Sequence, residues 1–110
     1  AIGRRLHVVD GDIPTKLMPR LYRAADAFVL PTRGEGWGLP LMEAMASGIP
    51  TIATAWGGQT EFMNSGNSQL VGYQLVPVPA KLGHRWAEAN STELQRAMWA
   101  AVRGSPTVIA

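Results

Sequence analysis

Apolar residues in this chain fall into short unbroken runs, separated by stretches in which they recur every three or four positions. Leu6-His7-Val8-Val9, Ala27-Phe28-Val29-Leu30, Thr51-Ile52-Ala53 and residues 73–76 are runs of strand length. The first predicts a short buried strand ended by the turn Asp10-Gly11-Asp12. The second, stopped by Pro31, predicts a strand buried on both faces. The last begins weakly, at Gly72.

The intervening stretches read as helices. Residues 16–25 place Leu17, Leu21 and Ala24 or Ala25 at helical spacing, with Thr15 as cap and Pro19 in the first turn. Residues 40–47 predict a helix with Pro40 at its first position and Gly48 just past its end. A second glycine pair, Gly57-Gly58, precedes a short helix over residues 59–63, and residues 77–89, with Pro77, Pro79 and Gly83, read as an irregular loop. Asn90-Ser91-Thr92-Glu93 carries a capping-box pattern, with Ser91 or Thr92 as cap and Leu94, Met98 and Ala101 along one face.

Strands alternating with helices predict an α/β fold, an open parallel sheet with helices on both faces. Ligands of such sheets collect at the carboxyl ends of the strands. Residues 33–39 fall at one of those ends, and they read RGEGWGL. Amides of Gly38, Leu39 and Leu41, around the N–H-free Pro40, would point donors at an anion in front of the helix, and the glycines would let it approach the backbone. Glu35 and Glu43 cannot aim straight at that anion. Beside it, each would suit a donor such as a sugar hydroxyl. The spacing therefore suits a nucleotide-sugar, with a competing reading in which Glu43 only complements the helix dipole and the glycines only make a turn.

Composition narrows the field. At 110 residues the chain is one domain at most, and we expect it to be an incomplete one. Ten Lys and Arg against eight Asp and Glu, scattered apart from Arg4-Arg5, form no stripe that would follow nucleic acid. The absence of cysteine removes thiolate chemistry and Cys-ligated zinc, and His7 and His84 have no paired spacing. Asp10-Gly11-Asp12 mimics a metal-binding Asp-x-Asp but is read as a turn. No hydrolase triad is evident, and Trp56, Trp86 and Trp99 are read as packing residues.

The stretch YRAADAFVLPTRGEGWGLPLMEAMASGIPTIATAWGG closely resembles the carboxyl-terminal donor-binding domain of retaining family 4 glycosyltransferases, which have the two-domain GT-B fold. The likeness includes paired glutamates with seven residues between them, Glu35 and Glu43, with Trp37 and then Gly38-Leu39-Pro40. It runs from about residue 6 to residue 61 and resumes more loosely at WAEANSTELQRAM.

The resemblance implies a partial Rossmann-like domain over residues 1–110 in which Glu35 and Glu43 are the catalytic-site acids. Glu35, Gly36 and Trp37 would hold the donor sugar, Gly38 and Leu39 the phosphate, and Glu43 the ribose. Gly11, Asp12 and Ile13 would lie near the base. It further implies transfer of a hexose from a UDP- or GDP-sugar to an acceptor hydroxyl with retention, without a metal or other cofactor, in a cytoplasmic protein whose full-length form can be membrane-peripheral. The cations that neutralise the diphosphate in the family lie upstream of residue 1, and the acceptor domain is missing. The chain alone is therefore expected to transfer little or no sugar, and its truncated surface to favour self-association. A non-catalytic nucleotide-binding or interaction module of the same fold is the alternative, followed by a GT-B-like epimerase or phosphorylase.

Overall fold

The computed structural model describes residues 6–103. Strands β1 (Phe28–Leu30), β2 (Thr51–Thr54) and β3 (Gln69–Val71) form a parallel sheet in the order β1-β2-β3. The register Val29↔Ile52 and Thr54↔Val71 puts alternate residues on opposite faces. Val29, Ile52 and Val71 meet Ala97 and Ala101 of helix α3 (Ser91–Val102). Phe28, Leu30, Ala53 and Leu70 point the other way, towards α2 (Leu39–Ala46). Tyr22 of α1 (Met18–Ala24) completes that side by packing on Ala44, Ile49 and Phe28, in an edge-to-face contact with the Phe28 ring. Apolar runs without alternation are thus explained by helices on both faces, and every residue of β2 is buried.

Leu41 of α2 is wholly inaccessible, worth about 1.5–3 kcal/mol relative to exposure. Its burial anchors the helix start on Ala53 and Met63. Gly48, at φ +83°, ends the same helix, as its position past the last periodic residue predicts. The helix begins one residue earlier than predicted, with Pro40 second rather than first.

Other expectations are corrected. Residues 6–9 form no strand, and Leu6, Val8 and Val9 are exposed. An apolar run becomes a strand only when a neighbour completes its hydrogen-bond ladder, and no described residue pairs with this one. Consequently β1 lies at the sheet edge and is half-buried rather than enclosed. Residues 73–76 do not extend the parallel sheet; β3 occupies that place, and β4 (Tyr73–Pro77) pairs antiparallel with β5 (Arg85–Ala89) inside the stretch read as a loop. Pro77 is tolerated because it closes the last pair of a two-stranded ribbon, where no inner ladder needs its N–H.

Gly72 is the switch between the two sheets. Its carbonyl accepts from Asn90 N at 2.8 Å, and a Cβ there would lie 2.7 Å from Glu93 Oε2, so the first turn of α3 presses on this point of the chain. The cap of α3 is Asn90, whose Oδ1 accepts from Glu93 N at 2.9 Å, not Ser91 or Thr92. The small residues Ala97 and Ala101 face the sheet, leaving Met98 and Trp99 exposed rather than packed.

Candidate functional site

Two glycine segments cross at the carboxyl ends of β1 and β2. The loop from Gly34 to Gly38 follows β1, and Gly57-Gly58 follows β2. Gly58 N donates to Glu35 O at 2.8 Å, and a Cβ on Gly58 would sit 2.0 Å from Gly36 O and 2.7 Å from Trp37 Cα. Gly57, at φ +110°, is less crowded, with a would-be Cβ 3.2 Å from Glu35 N and O, but its backbone conformation itself favours glycine. The closeness required of the backbones therefore falls on the second pair. Gly34 and Gly36 have open space around a would-be Cβ, so their lack of a side chain keeps the outer face of the loop accessible.

Gly38 caps α2 in the left-handed region, φ +90°, and no side chain caps the helix. Met42 N returns to Gly38 O at 3.1 Å. The amides of Gly36, Trp37, Gly38, Leu39 and Leu41 donate to no acceptor among the described residues. Orphan donors of this kind carry the partial positive end of the helix dipole. Leu39 is exposed, Trp37 is exposed with its ring 5.3 Å from Phe62, and Gly38 itself is buried.

Both acids flank this start. Glu35 is half-buried and lines a pocket of about 360 Å³ with Gly34, Ala55, Trp56, Gly57 and Thr60. Glu43 lies in the second turn of α2, too far along to serve the dipole at its start. It is instead held by Tyr22, whose hydroxyl donates to Glu43 Oε2 at 3.0 Å. Burial, and then the hydrogen bond to Glu43, raise the Tyr22 pKa, which keeps the phenol protonated as a donor. Oε1 of Glu43 has no protein donor among the described residues, so one acceptor atom of an oriented carboxylate remains for a ligand.

Not every predicted site residue joins them. Gly11 makes the turn, at φ +109°, with Asp12 exposed and Ile13 half-buried. No hydrogen bond among the described residues ties these three to the glycine loop. His7 is exposed on the same irregular segment, rather than in a core or on a sheet.

Residues 3–89 match the family described as glycosyl transferases group 1. The chain belongs to that family. Among similar proteins, the D-inositol 3-phosphate glycosyltransferase of Corynebacterium glutamicum is 36% identical over 93 residues, 84% of this chain and 21% of that protein. The lipopolysaccharide core biosynthesis mannosyltransferase LpsB of Rhizobium meliloti is 46% identical over 52 residues, 47% of this chain and 15% of that protein. The mannosylfructose-phosphate synthase of Agrobacterium fabrum is 44% identical over 64 residues, 58% of this chain and 13% of that protein. The chain thus spans about a fifth or less of the length of these relatives.

Within this group 1 glycosyltransferase chain, several residues around the site escaped the sequence reading. Gln59, fully buried, donates through Nε2 to Thr54 O and Trp56 O at 2.9 and 2.8 Å and so fixes the loop that carries Gly57-Gly58. Tyr22 sits 21 positions from the acid it holds, a distance no local pattern signals. Trp56 and Trp86, read as packing residues, line a cleft of about 910 Å³ between the β1–α2 loop and the β4–β5 hairpin. Arg33 clamps that hairpin: it pairs with Glu88 at 2.9 and 3.2 Å, lies 4.8 Å from the centre of the Trp86 ring, and accepts from Ala87 N through its carbonyl at 3.0 Å. The Arg33 hydrogen bond holds the Glu88 carboxyl below its ordinary range.

Proposed function

We propose that the chain is the donor-binding part of a retaining, family 4 glycosyltransferase, from the carboxyl-terminal half of a GT-B enzyme. The observation that carries this reading is the row of unpartnered amides from Gly36 to Leu41, flanked by Glu35 and an oriented Glu43. Gly38 and Leu39 would hold the phosphate, Glu43 Oε1 a ribose hydroxyl, and Glu35 with the amides of Gly36 and Trp37 the donor sugar. Gly11, Asp12 and Ile13 would approach the base.

Chemistry at such a site is electrostatic. As the sugar–phosphate bond breaks, negative charge grows on the leaving phosphate, and amides already aimed at it stabilise that charge without reorganising. Each such donor is worth about 3 kcal/mol, roughly a hundredfold in rate. Glu35 acts here as a positioning group on the sugar's hydroxyls. The relatives named for mannosyl transfer and mannosylfructose-phosphate synthesis favour a hexose donor. The reading includes no metal ion, and turnover would require the acceptor-binding and cationic parts of a longer protein.

Titration calorimetry of the chain with UDP, GDP and their sugars tests it. Saturable binding that disappears in Glu43→Ala supports the donor site. Absence of saturable heat with every nucleotide would overturn it.

A further inference from the structure

The cleft beside the hairpin has a composition that the donor site does not use. Its one acidic side chain, Glu88, is already paired with Arg33. Lys81 and Arg85 are exposed on the same walls with no carboxylate partner among the described residues, and His84 lies between them in sequence. Two tryptophans complete the lining. One side of Trp86 is occupied by the Arg33 guanidinium, while Trp56 is 38% exposed and leans on Tyr73 with ring centres 5.4 Å apart. Thr32 also lines the cleft, although its Oγ1 is itself buried and turned away from accessible space.

Location adds to chemistry. Gly34 and Trp56 line both this cleft and the smaller pocket that contains Glu35, so the two adjoin across that wall. At about 910 Å³ the cleft lies at the upper end of the range for small-molecule sites. Cations alone would accept any anion. Rigid aromatic walls select an anion carried on a ring with an apolar face, as a pyranose offers.

We propose that the cleft between the β1–α2 loop and the β4–β5 hairpin is a subsite for an anionic saccharide, a sugar ring bearing a carboxylate or a phosphate. Lys81 and Arg85 take the anion, and Trp56 takes the ring. Placing this ring next to the donor sugar rests on the reading of Glu35 given above; the ligand class rests on the cleft itself.

The test is a nuclear magnetic resonance titration of the chain, following the indole signals of Trp56 and Trp86 and the amides of residues 36–41. Digalacturonate represents the carboxylate source, mannose 6-phosphate the phosphate source, mannobiose the neutral control, and inorganic phosphate the bare anion. Saturable shifts at Trp56 and Trp86 with either charged sugar are expected, with binding about tenfold tighter than for mannobiose. Lys81→Gln/Arg85→Gln, both exposed and outside the packed core, should remove that tenfold preference and leave mannobiose unchanged. Equal affinity for mannobiose, displacement by inorganic phosphate at the same concentration, or no shift of either indole would each overturn the proposal. UDP and GDP form a separate arm read at residues 36–41. Charged-sugar binding without any nucleotide response would leave the subsite standing and remove the donor reading.

Discussion

The glycine crossing and the β4–β5 hairpin both border the candidate site, yet they are held in opposite ways. At the crossing, backbone meets backbone: Gly58 lies against Gly36 and Trp37, Gly38 sits 3.2 Å, measured from a would-be Cβ, from Gln59 Cβ, and the fully buried Gln59 pins the second loop from below. The hairpin is rooted by the buried Ala87 and by Ala89 against the Ile52 and Val71 cluster. Among the described residues its outer face is held only by the exposed Arg33–Glu88 pair, with backbone bonds from Ala87 and Asn90 and the Asn90 cap at its base. Backbone contact permits almost no displacement, whereas exposed ion pairs are weak and screened by salt. The difference suggests that the acid-and-amide site is a fixed feature and that the hairpin wall is the part able to adjust.

The sharpest way to break this contrast is Gly58→Ala. A Cβ at 2.0 Å from Gly36 O cannot be accommodated without moving the loop, so we expect a loss of about 2–4 kcal/mol in urea unfolding, together with loss of any nucleotide binding. Gly34→Ala, which would meet nothing within 4 Å, serves as the control and should stay within about 0.5 kcal/mol of the parent. Equal effects at the two positions would show that the crossing is not the constraint.

Asn90→Ala comes next. It removes the cap of α3 at the hairpin base and should cost about 1 kcal/mol, visible as a lowered unfolding midpoint and faster amide exchange over residues 85–93. Tyr22→Phe deletes the hydrogen bond to Glu43 and should cost about 0.5–1.5 kcal/mol in stability. Its informative readout is selectivity. If Tyr22 orients Glu43 on a ribose, the variant should lose discrimination between UDP and its 2′-deoxy analogue while its affinity for pyrophosphate stays the same.

Acid gives the smallest expected effect. The folded-state pKa of Glu88 is lowered, first by the hydrogen bond from Arg33, so its contribution is present above the unfolded carboxylate pKa and is lost as pH falls through the lowered value. The Trp86 indole signal should therefore show a transition below the ordinary carboxylate range, and Arg33→Gln should move that transition to higher pH. A transition unchanged in Arg33→Gln would show that the pair does not hold the hairpin wall.

Particular residues show how far the sequence could be read. The strands at Phe28–Leu30 and Thr51–Thr54, helix α2 and the glycine loop were legible because each depends on local patterns: an unbroken apolar run, a proline near a helix start, a glycine past its end. Residues 6–9 misled because apolar character permits a strand but does not supply a neighbour. Residues 85–89 misled in the opposite sense, since prolines and a glycine nearby masked a strand that exists through pairing with β4.

By itself, then, the sequence determined the alternating α/β order, the position of the glycine loop at a strand's carboxyl end, and the two acids beside it. These follow from interactions between residues close in the chain. Only the tertiary structure decided that Gly58 rather than Gly36 bears the close contact, that Tyr22 holds Glu43, and that Arg33 clamps a hairpin against the site. Each of those joins groups 21 or more positions apart, and their meeting is set by how helices and strands pack, which no local pattern encodes.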